Sequence, residues 1–432
     1  MTRIAKRVAI IGAGPSGLSA ARAFLANTDF ELVLYDSKPQ VGGVWFYPDD
    51  EQQRASTAMY DSLETNLSKD IMSFNGFPFS DSVKQFPTRS QVQEYLIHFY
   101  ETFVKNQNRA RVQLNCTVEL LQKNGDSWEL CHSGSRSVEV FDFVVIANGH
   151  FDIPYVPTDI PGLGEWRKED PSSLLHSKEF QSSEPFRGQK VVVVGNGSSG
   201  SDIANQISSV AEHVFHSVTE ISKANWDENP IVTPVTKISQ LRVHENRTVE
   251  LQNGELLHDI DCIVWATGYM YHIPFLGSYQ DEILGTQHAR NPVSRLHGLW
   301  RQIVFSEDPT LAFSLLCKNV VPFPVAESQA CLIAKIFCGA VDVPLMDSSA
   351  RAMGNGKDYH SLVMPRDIEY CRDLQGILDS CGGLNDPFQP RRWDEQMAAL
   401  RYQTAAAKNE RTKLLVRRAM QLRQNGQAYC LE

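Results

Sequence analysis

The chain lacks any run of about 18 uninterrupted apolar residues, the minimum for a transmembrane helix. Its best candidate, Leu311 to Met346, is broken by Lys318, Asn319, Glu327 and Lys335, so no membrane span is expected. It also lacks an excess of positive charge. Lys and Arg number 41 against 51 Asp and Glu, a net charge of −10, so nucleic acid is not an expected partner. No cysteine pair is spaced CxxC. The nine cysteines (116, 131, 262, 317, 331, 338, 371, 381 and 430) are scattered and odd in number, which reads as free thiols and not a disulfide framework. No Cys/His grouping has zinc-ligand spacing, so no metal site is expected. Met1-Thr2-Arg3-Ile4-Ala5-Lys6-Arg7 carries neither an apolar signal stretch nor a small-residue cleavage site, and a cytoplasmic location is expected. Short-period repeats are absent. What is there, 42% hydrophobic and 21% charged, is the balance of an ordinary folded protein, and 432 residues suggest two or three domains.

The informative features are glycine turns set between strands and helices. Arg7–Ile11 is a mostly β-branched run that leads directly into Gly12-Ala13-Gly14-Pro15-Ser16-Gly17 and then an alanine-rich helix. A second strand, Glu31–Tyr35, ends at Asp36, 19 residues past the last glycine. GxGxxG alone is a weak signal; in a strand–turn–helix–strand context it reads as a dinucleotide site. The first glycine permits the turn, the second admits a pyrophosphate, and the third lets helix and strand pack closely. The diphosphate then faces the helix N-terminus, and Asp36 is placed to accept from ribose hydroxyls.

The pattern recurs 183 residues later, in Lys190–Val194, Gly195-Asn196-Gly197-Ser198-Ser199-Gly200 and a helix from Ser201. Its next strand, His213–His216, ends in Ser217-Val218-Thr219-Glu220, with hydroxyls where the first unit has Asp36. A carboxylate there would repel a 2′-phosphate, so the sequence leans towards NADP. Ser217 and Thr219 are the expected contacts, and His216 and Lys223 the only nearby bases. Two more strands end in small-residue turns, Ala147-Asn148-Gly149 and Ala266-Thr267-Gly268, where backbone could approach a ligand. A Pro/Ser/Gly-rich stretch at about 150–188 reads as a linker, and Arg391–Arg423, with nine Lys/Arg against three Asp/Glu, as a solvated amphipathic helix.

Further motifs carry a resemblance. Gly42-Gly43-Val44-Trp45, Leu63-Glu64-Thr65-Asn66-Leu67-Ser68-Lys69, Phe77-Pro78-Phe79, Ala266-Thr267-Gly268-Tyr269 with Pro274-Phe275-Leu276, Pro309-Thr310-Leu311-Ala312-Phe313 and Pro324-Val325-Ala326-Glu327-Ser328-Gln329-Ala330 follow one another in the expected order. Together they resemble the flavin-containing monooxygenases over residues 7 to 340, in the soluble fungal or bacterial form. The resemblance implies FAD on the first turn, held by Gly12, Gly14, Pro15, Ser16, Gly17, Asp36, Gly43, Val44, Trp45, Thr65, Asn66, Val118, Ala147 and Gln329. It implies NADPH on the second, held by Gly195, Gly197, Ser198, Ser199, Gly200, Asp202, Ser217, Thr219, Thr267 and Gly268. In that family the reduced flavin and O2 form a C4a-hydroperoxyflavin that oxygenates a soft nitrogen or sulfur, so the implied substrate is a small amine or sulfide. The cofactor carries the reactive group, and side chains need supply little acid–base chemistry. Asn66, by itself a turn residue, matches the family's asparagine beside flavin and nicotinamide and is the implied catalytic residue.

The family's FxGxxxHxxx(Y/F) fingerprint is altered here. His176 and Phe180 stand, but Asp170 and Ser172 replace the leading Phe and Gly, which puts the linker geometry in question. Phe180, where Baeyer–Villiger relatives carry Trp, points to heteroatom oxygenation. A disulfide reductase would need a cysteine pair where this chain has Val44, Trp45 and Phe46. A Baeyer–Villiger or amine N-hydroxylating monooxygenase stays open, as does a non-enzymatic NADPH-sensing flavoprotein, and a homodimer is compatible with either. The expected architecture is α/β: two Rossmann-like dinucleotide-binding domains, the NADP domain (166–284) inserted into a discontinuous FAD domain (1–165 and 285–432).

Overall fold

The computed structural model describes residues 5–54, 57–135, 137–223, 226, 228–285, 292–345 and 358–431. The chain forms two compact units. The first comprises Met1–Phe46, Leu67–His150 and Met270–Thr404; the second, Tyr47–Asn66, Phe151–Tyr269 and Ala405–Glu432.

The first unit is built on a seven-stranded sheet in the order Leu299–Trp300, Val304–Phe305, Leu311–Phe313, Phe143–Ile146, Arg7–Ile11, Glu31–Tyr35, Ala110–Gln113. Its last five strands pair in parallel, and an antiparallel pair covers one edge. Side chains alternate between faces, and both faces are buried, which is why these strands read as continuous apolar runs. Val8, Ile10, Leu32, Leu34 and Val145 pack against helices. Ala9, Ile11, Val33, Tyr35, Val144 and Ile146 face the other way, towards Trp128, Leu130 and Phe141 of a three-stranded antiparallel sheet. Helix Pro15–Asn27 follows the first glycine turn, with proline at its first position, where the missing N–H costs nothing. Ala20, Ala21 and Ala23 let it lie close to helix Pro322–Phe337. Between these two helices Arg22 reaches the buried Glu327 at 3.3 Å, its guanidinium held between the rings of Phe103 and Phe388.

The second unit repeats the scheme. Its five-stranded sheet, all parallel, runs Val232–Val235, His213–Ser217, Lys190–Val194, Cys262–Trp265, Leu174–His176. Val191 and Val193 face helix Ser198–Ile207. Val192, Ile263 and Trp265 face the residues of a second small antiparallel sheet, among them Leu241, Val249 and Leu257. The α/β architecture with two Rossmann-like units is therefore as the sequence indicates.

The units divide the chain at other places than 166–284. Residues 151–165 belong with the second unit because Leu163 joins its core, and Tyr155 N donates to Gly268 O at 2.8 Å. Residues 270–284 belong with the first because Tyr271 Oη donates to Leu316 O at 2.6 Å and Leu121 N to Phe275 O at 2.7 Å. The C-terminal stretch is the larger difference. Helix Glu395–Gln424 is formed as expected, but its part from residue 405 packs with the second unit. Arg411 grips Glu64 with two bonds, and Tyr429 N donates to Ser183 Oγ at 2.9 Å. Its cations are thus largely engaged with protein and do not form a wholly solvated face. The altered fingerprint is pinned by Asp170 itself, which accepts from Arg247 at 2.7 Å and from Ser172 at 2.7 Å. All nine cysteines are free thiols. Among the described residues no helix is long and apolar enough to cross a membrane.

Candidate active site: the two glycine turns

The first turn is held by steric necessity. Gly12 has φ +111°, and a β-carbon there would lie 2.3 Å from the Ala147 carbonyl oxygen. Strand Phe143–Ile146 is the parallel neighbour of Arg7–Ile11, so the small-residue turn at Ala147 is the surface against which Gly12 folds. A β-carbon at Gly17 would meet the Gly12 carbonyl oxygen at 1.9 Å, which accounts for the third glycine. Gly14 lies against Gly43: a β-carbon on Gly43 would come within 2.7 Å of Gly14 Cα. Gly14 caps the helix without a side-chain bond, leaving the first-turn N–H groups of Pro15–Asn27 without an intrahelical acceptor. Asp36 is buried and accepts from Ala13 N at 2.7 Å and Lys38 N at 2.9 Å. Burial pushes its carboxyl up despite those two bonds. The structure thus brings Gly12, Gly14, Pro15, Ser16, Gly17, Asp36, Gly43 and Ala147 together, with Val44 and Trp45 in the short helix that Gly43 begins. Val118 puts its side chain in the core beside Cys116 and Leu121.

The second turn has the same construction. Gly195 has φ +116°, and its β-carbon would fall 2.5 Å from the Ala266 carbonyl oxygen; one on Gly200 would fall 1.9 Å from Gly195 O. The pairing of Ala147 with Gly12 is repeated by Ala266 with Gly195. Gly197 differs, because a β-carbon there would meet nothing within 4 Å. Ser198 and Ser199 are exposed at the start of the helix, which again has no side-chain cap. Each turn therefore offers a diphosphate uncapped N–H groups, and the second offers open space as well; the residues fit two dinucleotides.

A family model described as flavin-binding monooxygenase-like matches residues 5–232. A thiol-specific monooxygenase of Saccharomyces cerevisiae is 38% identical over 433 residues, covering 99% of this chain and 98% of that one. The chain belongs to the flavin-binding monooxygenase family. A senecionine N-oxygenase of Tyria jacobaeae is also similar, 29% identical over 80% of this chain and 75% of its own. In fold, the chain resembles the S-allyl-L-cysteine S-oxygenase of Allium sativum, with a TM-score of 0.78 at 24% identity over 98% of this chain and 100% of that one. This flavin monooxygenase is thus an enzyme, and its family implies a flavin and a nicotinamide dinucleotide as cofactors.

Several side chains expected to touch cofactor in this monooxygenase have other partners. Asn66 falls with the second unit, as does the buried Thr65, and Asn66 Nδ2 donates to Ser198 Oγ at 2.7 Å. Asp202 accepts from Tyr60 Oη and, at 3.0 Å, from Gln206 Nε2; burial raises its carboxyl to about 6. Through Tyr60 it fastens the 47–66 segment to the helix. Gln329 is wholly buried, accepting from Leu315 N at 2.7 Å and donating to Tyr370 Oη at 2.8 Å. Leu315 follows Ser314, whose N–H bonds Ile146 O, so Gln329 braces the strand end beside Ala147. Ser217 is buried and donates to Thr236 O at 3.0 Å, whereas Thr219 is exposed. Thr267 donates to Tyr155 O, and Gly268 O accepts from His176 Nε2 at 3.1 Å.

His216 is not a base for a 2′-phosphate. It is buried, its Nε2 meets Gly195 O at 2.9 Å, and Trp226 Nε1 donates to its Nδ1 at 3.0 Å. Burial pushes its pKa down, so a neutral ring braces the first glycine of the turn. The Lys223 side chain lies outside the described residues. Sequence reasoning missed Tyr60, Trp226 and Lys408, which places Nζ 3.2 Å from Ser198 Oγ. Only His216 carried a local signal, since strand alternation turns it to the same buried side as Val214.

Proposed function

We propose that the enzyme is an NADPH- and O2-dependent monooxygenase that holds FAD on its first unit and oxygenates a nucleophilic sulfur or nitrogen of a small molecule. What supports this above all is one construction used twice with different strand ends, Asp36 in one unit and Ser217 to Thr219 in the other. When bound, reduced nicotinamide supplies hydride and the flavin supplies the oxygen-activating chemistry. The chain's own residues bind and orient. Asp36 has lone pairs left for ribose hydroxyls after its two backbone bonds, which favours FAD over a mononucleotide. Asn66 presents a neutral carboxamide beside the second turn, and the pinning of Thr267 and Gly268 by Tyr155 and His176 fixes the neighbouring strand end. No side chain is asked for acid–base catalysis.

NADPH is preferred over NADH, but moderately. The second strand ends without a carboxylate, yet Ser217 has committed its proton to Thr236, and Thr219 is a neutral donor. Neutral hydrogen bonds are roughly half as strong as charge-assisted ones. Thiols are the first substrates to try, because the relative that is 38% identical over nearly the whole chain is named thiol-specific. The test is a panel of thiols, sulfides, amines and ketones, following NADPH and NADH oxidation, oxygenated product and hydrogen peroxide. The expected result is S- or N-oxygenated product matched to NADPH consumed. Ester or lactone from ketones would reassign the enzyme as Baeyer–Villiger, and equal use of NADH would remove the coenzyme preference.

A further inference from the structure

This inference rests on the reading of the second turn as a nicotinamide dinucleotide site and concerns Lys408, far away in sequence on helix Glu395–Gln424. Its Nζ lies 3.2 Å from Oγ of Ser198, the first residue of the helix that leaves the turn. Other cations of this helix have carboxylate partners: Arg401 with Asp367 at 2.6 Å, Arg411 with Glu64 at 2.5 Å, Arg417 with Glu228 at 2.8 Å. Among the described residues Lys408 has no carboxylate within ion-pair distance. It is only partly exposed, and it stands beside the positive end of a helix dipole, where a second positive charge is unfavourable without an anion. Burial lowers its pKa, and the charge of Asp202 offsets part of that. Ser198 Oγ receives two donors, Lys408 Nζ and Asn66 Nδ2, so its acceptor positions are filled and its own proton is left to give. Two donors and a cation therefore converge where Gly197 leaves open space.

We propose that Lys408 binds the diphosphate of the nicotinamide dinucleotide, with the Ser198 hydroxyl and the N–H groups of the turn. The diphosphate and not the 2′-phosphate is the partner, because Ser198 opens the helix after the glycine turn, whereas a 2′-phosphate is read at the end of the next strand. Lys408 then strengthens NADP and NAD alike and takes no part in choosing between them.

The test is calorimetric titration of NADP+ and NAD+ into FAD-loaded holoenzyme at low and high salt, with Lys408→Met, Lys408→Arg and, as control, Lys413→Met. Lys413 pairs with Glu410 on the same helix. Lys408→Met should weaken both dinucleotides by about tenfold, the loss of one charge-assisted bond, and flatten the salt dependence. Lys408→Arg should recover most of the affinity, and Lys413→Met should match wild type. Should Lys408→Met lose its fold or flavin, Lys408→Gln carries the same expectation. Unchanged affinity in the neutral variants overturns the proposal, as does a loss confined to NADP+. Failure of the wild type to bind either dinucleotide overturns instead the reading of the turn.

Discussion

Gly14 and Gly197 occupy the same place in their two turns, yet a β-carbon would meet different things at each. At Gly14 it would lie 3.2 Å from Gly43 Cα, so a larger residue there disturbs the protein itself. At Gly197 φ is −75°, open to any residue, and nothing lies within 4 Å. Gly197→Val should therefore leave the melting temperature near wild type while NADP+ binding is lost in titration; normal binding would remove the turn from the site. His176 allows a test of a different kind. Burial lowers its pKa to about 4, and its ring bridges Lys178 N and Gly268 O. As pH falls below about 6.5, the unfolded chain takes up a proton here that the folded chain refuses until about pH 4. The stability this group contributes is thus present at neutral pH and lost towards acid. In denaturant titrations the advantage of wild type over His176→Gln should shrink by about 1.4 kcal/mol for each pH unit between 6.5 and 4.

Helix Ser198–Ile207 has both ends determined from outside itself. Its start has no side-chain cap, and beyond its end Arg423 Nη1 donates to Ser208 O at 2.9 Å and Ala211 O at 2.5 Å. A cation over the last carbonyls offsets the negative end of the dipole. Arg423→Ala should cost about 1 to 2 kcal/mol of stability by chemical denaturation, with flavin content unchanged. The strands, the glycine turns and this helix were all legible in the sequence, since period-two burial and obligatory glycines are local properties. Arg423 and Lys408 were not, because their partners lie some two hundred residues away and no spacing rule connects them. The Ala147 and Ala266 turns were legible as places of close approach, and the structure adds that their carbonyls lie against Gly12 and Gly195.

For the molecule as a whole, what matters is how much reducing power reaches product. If Asn66 orients the nicotinamide end of the second site, Asn66→Ala should keep its flavin and its NADPH-driven reduction. The yield of oxygenated product per NADPH should fall about fivefold, as expected for one hydrogen bond of about 1 kcal/mol, while hydrogen peroxide rises. Full coupling in that variant would remove Asn66 from the active site. Domain membership was the least legible property at this scale. Composition marked a linker at 150–188, but Leu163 and Trp166 in that stretch are core residues of the second unit. Low hydrophobicity over a window says little about a few well-placed large side chains.

The second unit takes its residues from three separated stretches, and this governs the order in which the protein can be made. Strands Leu174–His176 to Cys262–Trp265 leave the ribosome well before residues 405–431, which supply Arg411 to Glu64, Arg423 to the helix end and Tyr429 to Ser183. The first unit is delayed in the same way, since Phe143–Ile146 waits for its neighbour Leu311–Phe313. Domains are generally completed in turn during synthesis. Here each unit receives its last segment only after most of the chain has emerged, so neither is complete before the other has begun.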